Sequence, residues 1–199
     1  MSEVTETISE QIEHAGESTL NTRIALIVAI SASLMAIFNI KANNIVQAMA
    51  QEQAHVIDSW SYYQAKSTKQ SMTENQISMI ELQMLREKNI TPTLKAKLNT
   101  LLEENRKKVS RYEQEKNEIK LQAENHQKTY EELNVFDDQF DLAEALITLG
   151  LTIFGITALT RRKPLFYFGL LFSFGGVVFG FAGFAKVVIH PEWLASLLG

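Results

Sequence analysis

Apolar residues in this chain concentrate in three runs, set off by long polar stretches in which apolar positions recur with helical spacing. Ile24 to Ile40 contains no charge, and neither does Leu165 to Ala185. A helix that crosses a bilayer needs roughly 20 mostly apolar residues, because about 30 Å of hydrocarbon offers backbone amides no partner outside the helix. Three segments meet that condition, 24–42, 142–160 and 165–189, and each is predicted to be a transmembrane helix. Ahead of them, 1–23 is an acidic segment with Glu3, Glu6, Glu10, Glu13 and Glu17, and with Val4, Ile8, Ile12 and Ala15 on one helical face. A cleaved signal peptide starts basic, so the first span reads as an uncleaved anchor. A short tail, 190–199, closes the chain.

The polar region 43–141 contains no glycine, and Pro92 is its single proline, so nothing interrupts a helix before that point. Met49, Val56, Trp60, Tyr63, Ile77 and Met84 recur near every 3.5 residues on the outgoing side. Leu98, Leu102, Val109, Tyr112, Ile119, Ala123, Tyr130, Leu133 and Phe140 do the same on the return. That spacing predicts a long antiparallel coiled-coil hairpin with its turn near 89–93, where Pro92 forces Thr91 out of helical geometry and Thr91 or Thr93 caps the second arm. Ser67, Gln70, Glu74, Asn105 and Lys116 fall on the seam as polar interruptions, which either fix register or mark a hinge or docking zone. The predicted fold is an all-α membrane protein, three transmembrane helices with the hairpin between the first and second.

Charge adds orientation. Arg161, Arg162 and Lys163, followed by Pro164, form a short basic turn between the second and third runs, and cations in short loops stay on the cytoplasmic side. The amino terminus is then inside and the hairpin outside, which in a bacterial inner membrane is the periplasm. The net charge of −4 and the 46 % hydrophobic content resemble those of a soluble protein only because the greasy and polar parts are averaged together. There is no cysteine, which excludes disulfides and thiolate metal sites.

Candidate chemistry is sparse. Trp60, Tyr62, Tyr63, Lys66 and Lys69 form an aromatic and cationic stretch, read either as seam packing with lysines stacked on Tyr62 or as a docking surface for a partner. Arg106, Lys107, Lys108 and Arg111 are closely flanked by Glu103, Glu104, Glu113 and Glu115, so no nucleic-acid partner is expected. Glu10, Glu13, His14 and Glu17 could hold a cation, but a solvated acidic helix face gives the same pattern. His126 reads as a tolerated polar residue near the seam, and His55 and His190 have no ligand partner nearby in sequence. There is no phosphate loop, zinc motif or flagged nucleophile, so no cofactor, metal or enzymatic activity is expected.

The spans carry packing information. Gly169, Ser173, Gly176, Gly180 and Gly183 follow steps of four and three and form a smooth stripe in which another helix should lie. Ala25, Ala29, Ala32, Ala36, Asn39 and Asn43 form a similar stripe on the first span and make it the natural partner. Glu144 and Lys186 are placed by connectivity at the same membrane face, with Lys41 nearby, and read either as an ion pair that closes the bundle or as lysines that snorkel separately to the headgroups while Glu144 faces interfacial water.

Three stretches, Trp60-Ser-Tyr-Tyr-Gln-Ala-Lys-Ser-Thr-Lys69, Phe140-Asp-Leu-Ala-Glu-Ala145 and Leu159-Thr-Arg-Arg-Lys163, resemble the bacterial membrane family catalogued as domain of unknown function 4337. The resemblance extends over nearly the whole chain and implies the same architecture and a bacterial membrane origin; it brings no catalytic residues with it. The expected role is a membrane-anchored structural or interaction protein that projects the hairpin from the bilayer. Its partners would be membrane lipid, further copies of the chain and an unknown protein. The alternative is a subunit of an oligomeric pore or transporter, for which Thr148, Thr152 and Thr157 supply a thin polar lining.

Overall fold

The computed structural model describes residues 2–87 and 90–189, with side chains from Thr19 onward. Among these residues there are three helices and no strand: α1 (Ser2–Arg86), α2 (Pro92–Thr160) and α3 (Lys163–Phe184). The absence of glycine between Gly16 and Gly150, and of proline other than Pro92, lets the first two run for 85 and 69 residues. Pro92 occupies the first position of α2, where its missing N–H is not needed, and the first backbone bond runs from Lys95 N to the Thr91 carbonyl at 3.0 Å. Of the predicted turn, Asn89 lies outside the described residues, as do His190 and the tail. The acidic Glu10, Glu13, His14 and Glu17 set lies on α1 outside the described side chains.

The chain divides into two compact units. One, Met49–Glu131, is a pair of helical arms. Glu52 meets His126, Lys66 meets Glu115 and Glu81 meets Arg106, so residue numbers fall on one arm as they rise on the other and the arms are antiparallel. Buried and half-buried positions repeat every seven residues: Glu52, Ser59, Lys66, Thr73 and Ile80 with Met49, Val56, Tyr63, Gln70, Ile77 and Met84 on α1. On α2 they are Leu98, Asn105, Tyr112, Ile119 and His126 with Leu102, Val109, Lys116, Ala123 and Tyr130. Trp60 is not on this seam. It stands one residue away from Ser59, about 100° around the helix, and keeps 38 % of its surface exposed.

In the other unit, drawn from the stretches before Met49 and after Glu131, parts of all three helices pack together. The three helices each contain a stretch long and apolar enough to cross a membrane. The core of this unit combines large apolar side chains, Ile24, Phe38, Ile45, Phe140, Ile147 and Phe154, with small and polar ones, while a second set of large apolar side chains stays exposed. Ser31, Thr157, Ser173 and five glycines are buried. Leu26, Ile30, Ile37, Leu149, Phe168, Leu171, Phe174 and Phe181 point outward. Aromatic rings cluster at one place: Phe38 lies 6.3 Å from Phe140 and 5.9 Å from Phe184, and edge-on to Phe181 at 5.6 Å.

The third apolar run ends its helix earlier than the sequence suggests, at Phe184 rather than Ile189. Ala185 caps it and Lys186 turns into the left-handed region at φ 55°. The cause lies on α2: Gln139, 1 % exposed, donates through Nε2 to the carbonyls of Phe179 at 3.1 Å and Val187 at 3.2 Å, and its Oε1 accepts from Ile189 N at 3.2 Å. One side chain thereby satisfies backbone groups that a continuing helix would have paired internally. At the other end of α3, Arg161 also sits at φ 55°, reversing the chain between α2 and α3 in two residues.

Candidate functional site

The aromatic and lysine stretch of α1 becomes a cross-arm cluster. Lys66 Nζ lies 2.6 Å from Glu115 Oε2, above the Tyr62 ring at 5.1 Å and the Tyr112 ring at 5.6 Å. Lys116 answers from α2, donating to Gln70 Oε1 at 3.0 Å and sitting over Tyr63 at 5.3 Å. Gln70 in turn donates to exposed Glu74 Oε1 at 3.0 Å, so two of the polar interruptions of the seam, Gln70 and Lys116, satisfy one another, while Glu74 stands outside it. The hydrogen bond from Lys66 holds the Glu115 carboxyl below the usual carboxylate range, with Arg111, 3.6 Å from Oε1, adding a smaller pull. The same bond to Glu115, helped by Tyr62, raises Lys66. Both long lysine stems are thus folded into the seam with their heads paired, while Tyr62, Trp60 and Lys69 remain on the exposed side. Of the five residues, Lys66 and Tyr63 serve packing and the other three form the accessible part.

A second cluster joins residues that sequence distance separates. His126 Nδ1 lies 2.6 Å from Glu52 Oε2, and the His126 ring stacks on His55 with centroids 4.9 Å apart and planes 27° apart. The signal that could have found it is the antiparallel register: with 66 opposite 115, position 52 falls opposite 129, within one helical turn of His126. Stacked rings aim their nitrogens sideways rather than at one point, and among the described residues no group of three His, Cys, Asp or Glu side chains is placed to hold a metal.

In the three-helix unit, Gly169, Ser173, Gly176, Gly180 and Gly183 are all buried on one face of α3. A Cβ at Gly176 would stand 2.6 Å from the Ala143 carbonyl, one at Gly183 would stand 2.9 Å from the Phe140 ring, and one at Gly180 would strike Phe38. Ser173 Oγ bonds Ser31 Oγ at 2.7 Å. The stripe therefore receives both α2 and α1 within the chain. On α1, however, Ser31 and Phe38 are the residues that meet the stripe, on a face where Ile24 and Ile45 are also buried, and the expected partner stripe Ala25, Ala29, Ala32 and Ala36 is exposed. Glycine on α3 already provides the smooth side of the contact, so α1 supplies the ring that fills it.

Glu144 and Lys186 are not brought together. The Asn39 amide, turned to satisfy both neighbours, donates to Glu144 Oε2 at 3.2 Å and to the Met35 carbonyl at 3.3 Å. Lys186 lies beyond the end of α3, exposed, in the turn that Gln139 holds. Extrapolating α3 as a helix to Ile189 misplaced it. Asp137 and Asp141, one turn apart on α2, were missed by reading single residues: partial burial first, then the neighbouring carboxylates, raises both above the ordinary aspartate value. The threonines of the second apolar run are committed locally. Thr152 and Thr157 bond carbonyls four residues back at 2.9 and 2.7 Å, and Thr148 faces Met35 Sδ at 3.8 Å.

Fold and site together define an all-helical protein with three helices fit to span a membrane and a polar pair of arms between the first and second apolar runs. The chain matches the family described as Domain of unknown function (DUF4337) over residues 20–186 and belongs to it. No curated protein and no solved structure matches it.

Proposed function

We propose that this chain is a non-enzymatic, membrane-anchored structural or interaction protein of the bacterial inner membrane. Three helices span the bilayer, and the intervening arms form an antiparallel coiled coil that offers a protein-binding surface in the aqueous compartment. The observation that carries the anchoring is the girdle of exposed large apolar side chains around the three-helix unit, Leu26, Ile30, Ile37, Leu149, Phe168, Leu171, Phe174 and Phe181 among them, which is costly in water and natural in lipid, together with the glycine and serine face on which α3 packs closely. The seven-residue repeat of buried positions on both arms supports the coiled coil. Threonine hydroxyls turned onto their own helix or Met35 leave the pore reading without a lining and favour the structural one.

Arg161, Arg162 and Lys163 support a cytoplasmic α2–α3 turn and amino terminus, with periplasmic arms. Because the chain has no cysteine, single thiols report topology without background. Thr91→Cys should react with a membrane-impermeant maleimide in intact cells, and Arg162→Cys only after lysis. The reversed pattern would overturn the orientation. Release of the protein from membranes by alkaline carbonate would overturn the anchoring itself.

A further inference from the structure

The arms of the Met49–Glu131 unit do not carry their charge evenly. Residues 79–108, which include the turn and the adjoining stretch of each arm, hold seven Lys/Arg against four Asp/Glu. The remainder of the unit, 49–78 and 109–131, holds six against eight, and the whole chain stands at −4. The turn end is therefore positive in an otherwise acidic chain. Of its four carboxylates, Glu81 is already paired with Arg106 at 3.0 Å, while Glu87, Glu103 and Glu104 are exposed alongside Arg86, Lys95 and Lys97.

Exposed apolar side chains gather at the same end. Among the described residues of this unit ten large apolar or aromatic side chains are exposed, and five of them, Met79, Leu82, Leu85, Leu94 and Leu101, fall within 79–101, little more than a quarter of its length. The others are Ile57, Trp60, Tyr62, Met72 and Leu121. Leu85 leaves 80 % of its surface to solvent and Met79 leaves 70 %. The five do not share one face. Met79, Leu82 and Leu85 step by three residues and so fan through about 120° of α1, and Leu94 and Leu101 stand seven apart on α2. Met84, Leu98 and Leu102 close the seam beneath them, so the exposed set is additional to the contact between the arms.

We propose that the turn end of the arms docks on the surface of an anionic phospholipid bilayer, a role that goes beyond the protein-binding surface proposed above and does not depend on the anchoring. Two features choose the partner. Positive charge at this end, against an acidic remainder, complements phosphate headgroups and orients the arms with the turn toward them. Apolar side chains that point several ways suit a medium that surrounds the tip, whereas a folded partner would meet one face. Arg86, Lys95 and Lys97 lie among the leucines, and their apolar stems can follow the leucines into the interface while the charges stay with the headgroups. The stretch Ile90-Thr91-Pro92-Thr93 at the turn carries no charge that would have to be desolvated on approach.

The test holds the full-length chain in nanodiscs of phosphatidylcholine, which shield the three-helix unit, and mixes them with separate vesicles of phosphatidylcholine alone or with about a third phosphatidylglycerol. Protein that floats with the vesicles is measured after density centrifugation, with empty discs as the blank. The parent should float with the anionic vesicles at least about tenfold more than with the neutral ones, and less as salt rises. Lys95→Gln with Lys97→Gln should lower that partition about tenfold or more, and Leu82→Ser with Leu85→Ser by a similar factor, while Ile57→Ser and Leu121→Ser on the same arms leave it unchanged. All these positions are exposed, so the variants should keep the fold, which circular dichroism checks. Equal partition to both kinds of vesicle, no partition at all, or equal losses from the Ile57 and Leu121 changes would overturn the proposal. Crosslinking from Leu85→Cys to a protein in native membranes, with no vesicle binding, would assign the tip to a protein instead. Carbonate extraction reads the anchoring separately; its failure would remove the anchoring and leave the dependence on Lys95, Lys97, Leu82 and Leu85 to decide the tip as before.

Discussion

Adding one methyl group to Gly176 should loosen the three-helix unit, and adding the same group to its neighbour Gly175 should not. A Cβ at Gly176 would stand 2.6 Å from the Ala143 carbonyl oxygen, 2.7 Å from Ile147 Cγ1 and 2.9 Å from Ile147 N. Two of those atoms belong to the α2 backbone and cannot swing aside. To reach ordinary contact at 3.4 Å, α3 and α2 must part locally by about 0.8 Å, the difference between 3.4 and 2.6. Over-packing of that size costs about 1–3 kcal/mol. For a chain of this length a loss of 1 kcal/mol lowers Tm by roughly 2–4 °C, so Gly176→Ala should melt about 2–12 °C below the parent. At Gly175 the nearest atom to an added Cβ is Leu146 Cδ1 at 3.8 Å, an ordinary contact, and removing glycine from a helix interior favours the folded state by a few tenths to about 1 kcal/mol. Gly175→Ala should therefore melt at or slightly above the parent. Circular dichroism melts of both variants in nanodiscs at matched lipid composition provide the comparison. Equal shifts for the two would refute the close α2–α3 approach at Gly176.

Carboxyls in the two units should respond to pH with opposite sign. Glu115 is held below its usual range, so its pair with Lys66 is formed above that range and is lost as pH falls through the depressed value; Glu115→Gln should destabilise the protein at pH 7 and converge on the parent in acid. Asp141 is raised, so its charged form is disfavoured in the folded state at neutral pH; Asp141→Asn should stabilise at pH 7, and the advantage should fade as pH falls through the raised value and the parent carboxyl becomes neutral. Urea melts of the full chain from pH 3 to 8 check both, and gains or losses of the same sign at pH 7 would contradict the assignment. Gln139→Leu leaves the Phe179 and Val187 carbonyls and Ile189 N without their side-chain partner, at about 1–3 kcal/mol for each group that stays buried. Hydrogen exchange at Ile189 should rise at least tenfold, and unchanged protection would show that Gln139 does not hold the segment.

Periodicity alone determined most of the architecture. Three charge-poor runs, the absence of glycine through 43–141 and the single Pro92 are local properties, and they suffice for three apolar helices and a turn. The smooth face of α3 was equally legible, because a stripe of glycines on a helix has few uses other than admitting another helix. What the stripe would admit was not legible. Alanine on α1 looked complementary to glycine on α3, yet α1 meets the stripe through Ser31 at Ser173 and Phe38 at Gly180, a different face of the helix, because close packing is satisfied by shape and not by residue size alone. The end of α3 likewise escaped local reading: apolar residues run on to Ile189, but Gln139, some forty residues earlier, supplies the hydrogen bonds that let the backbone leave the helix at Phe184. With that turn Lys186 moves away from the position assigned to it beside Glu144. The His55, His126 and Glu52 cluster belongs to the same class. A sequence pattern specifies which face of a helix is buried, because burial follows spacing along one chain. Only the tertiary structure decides which residue on another helix meets that face, because register between helices is set by the summed fit of many side chains and by where the turns fall.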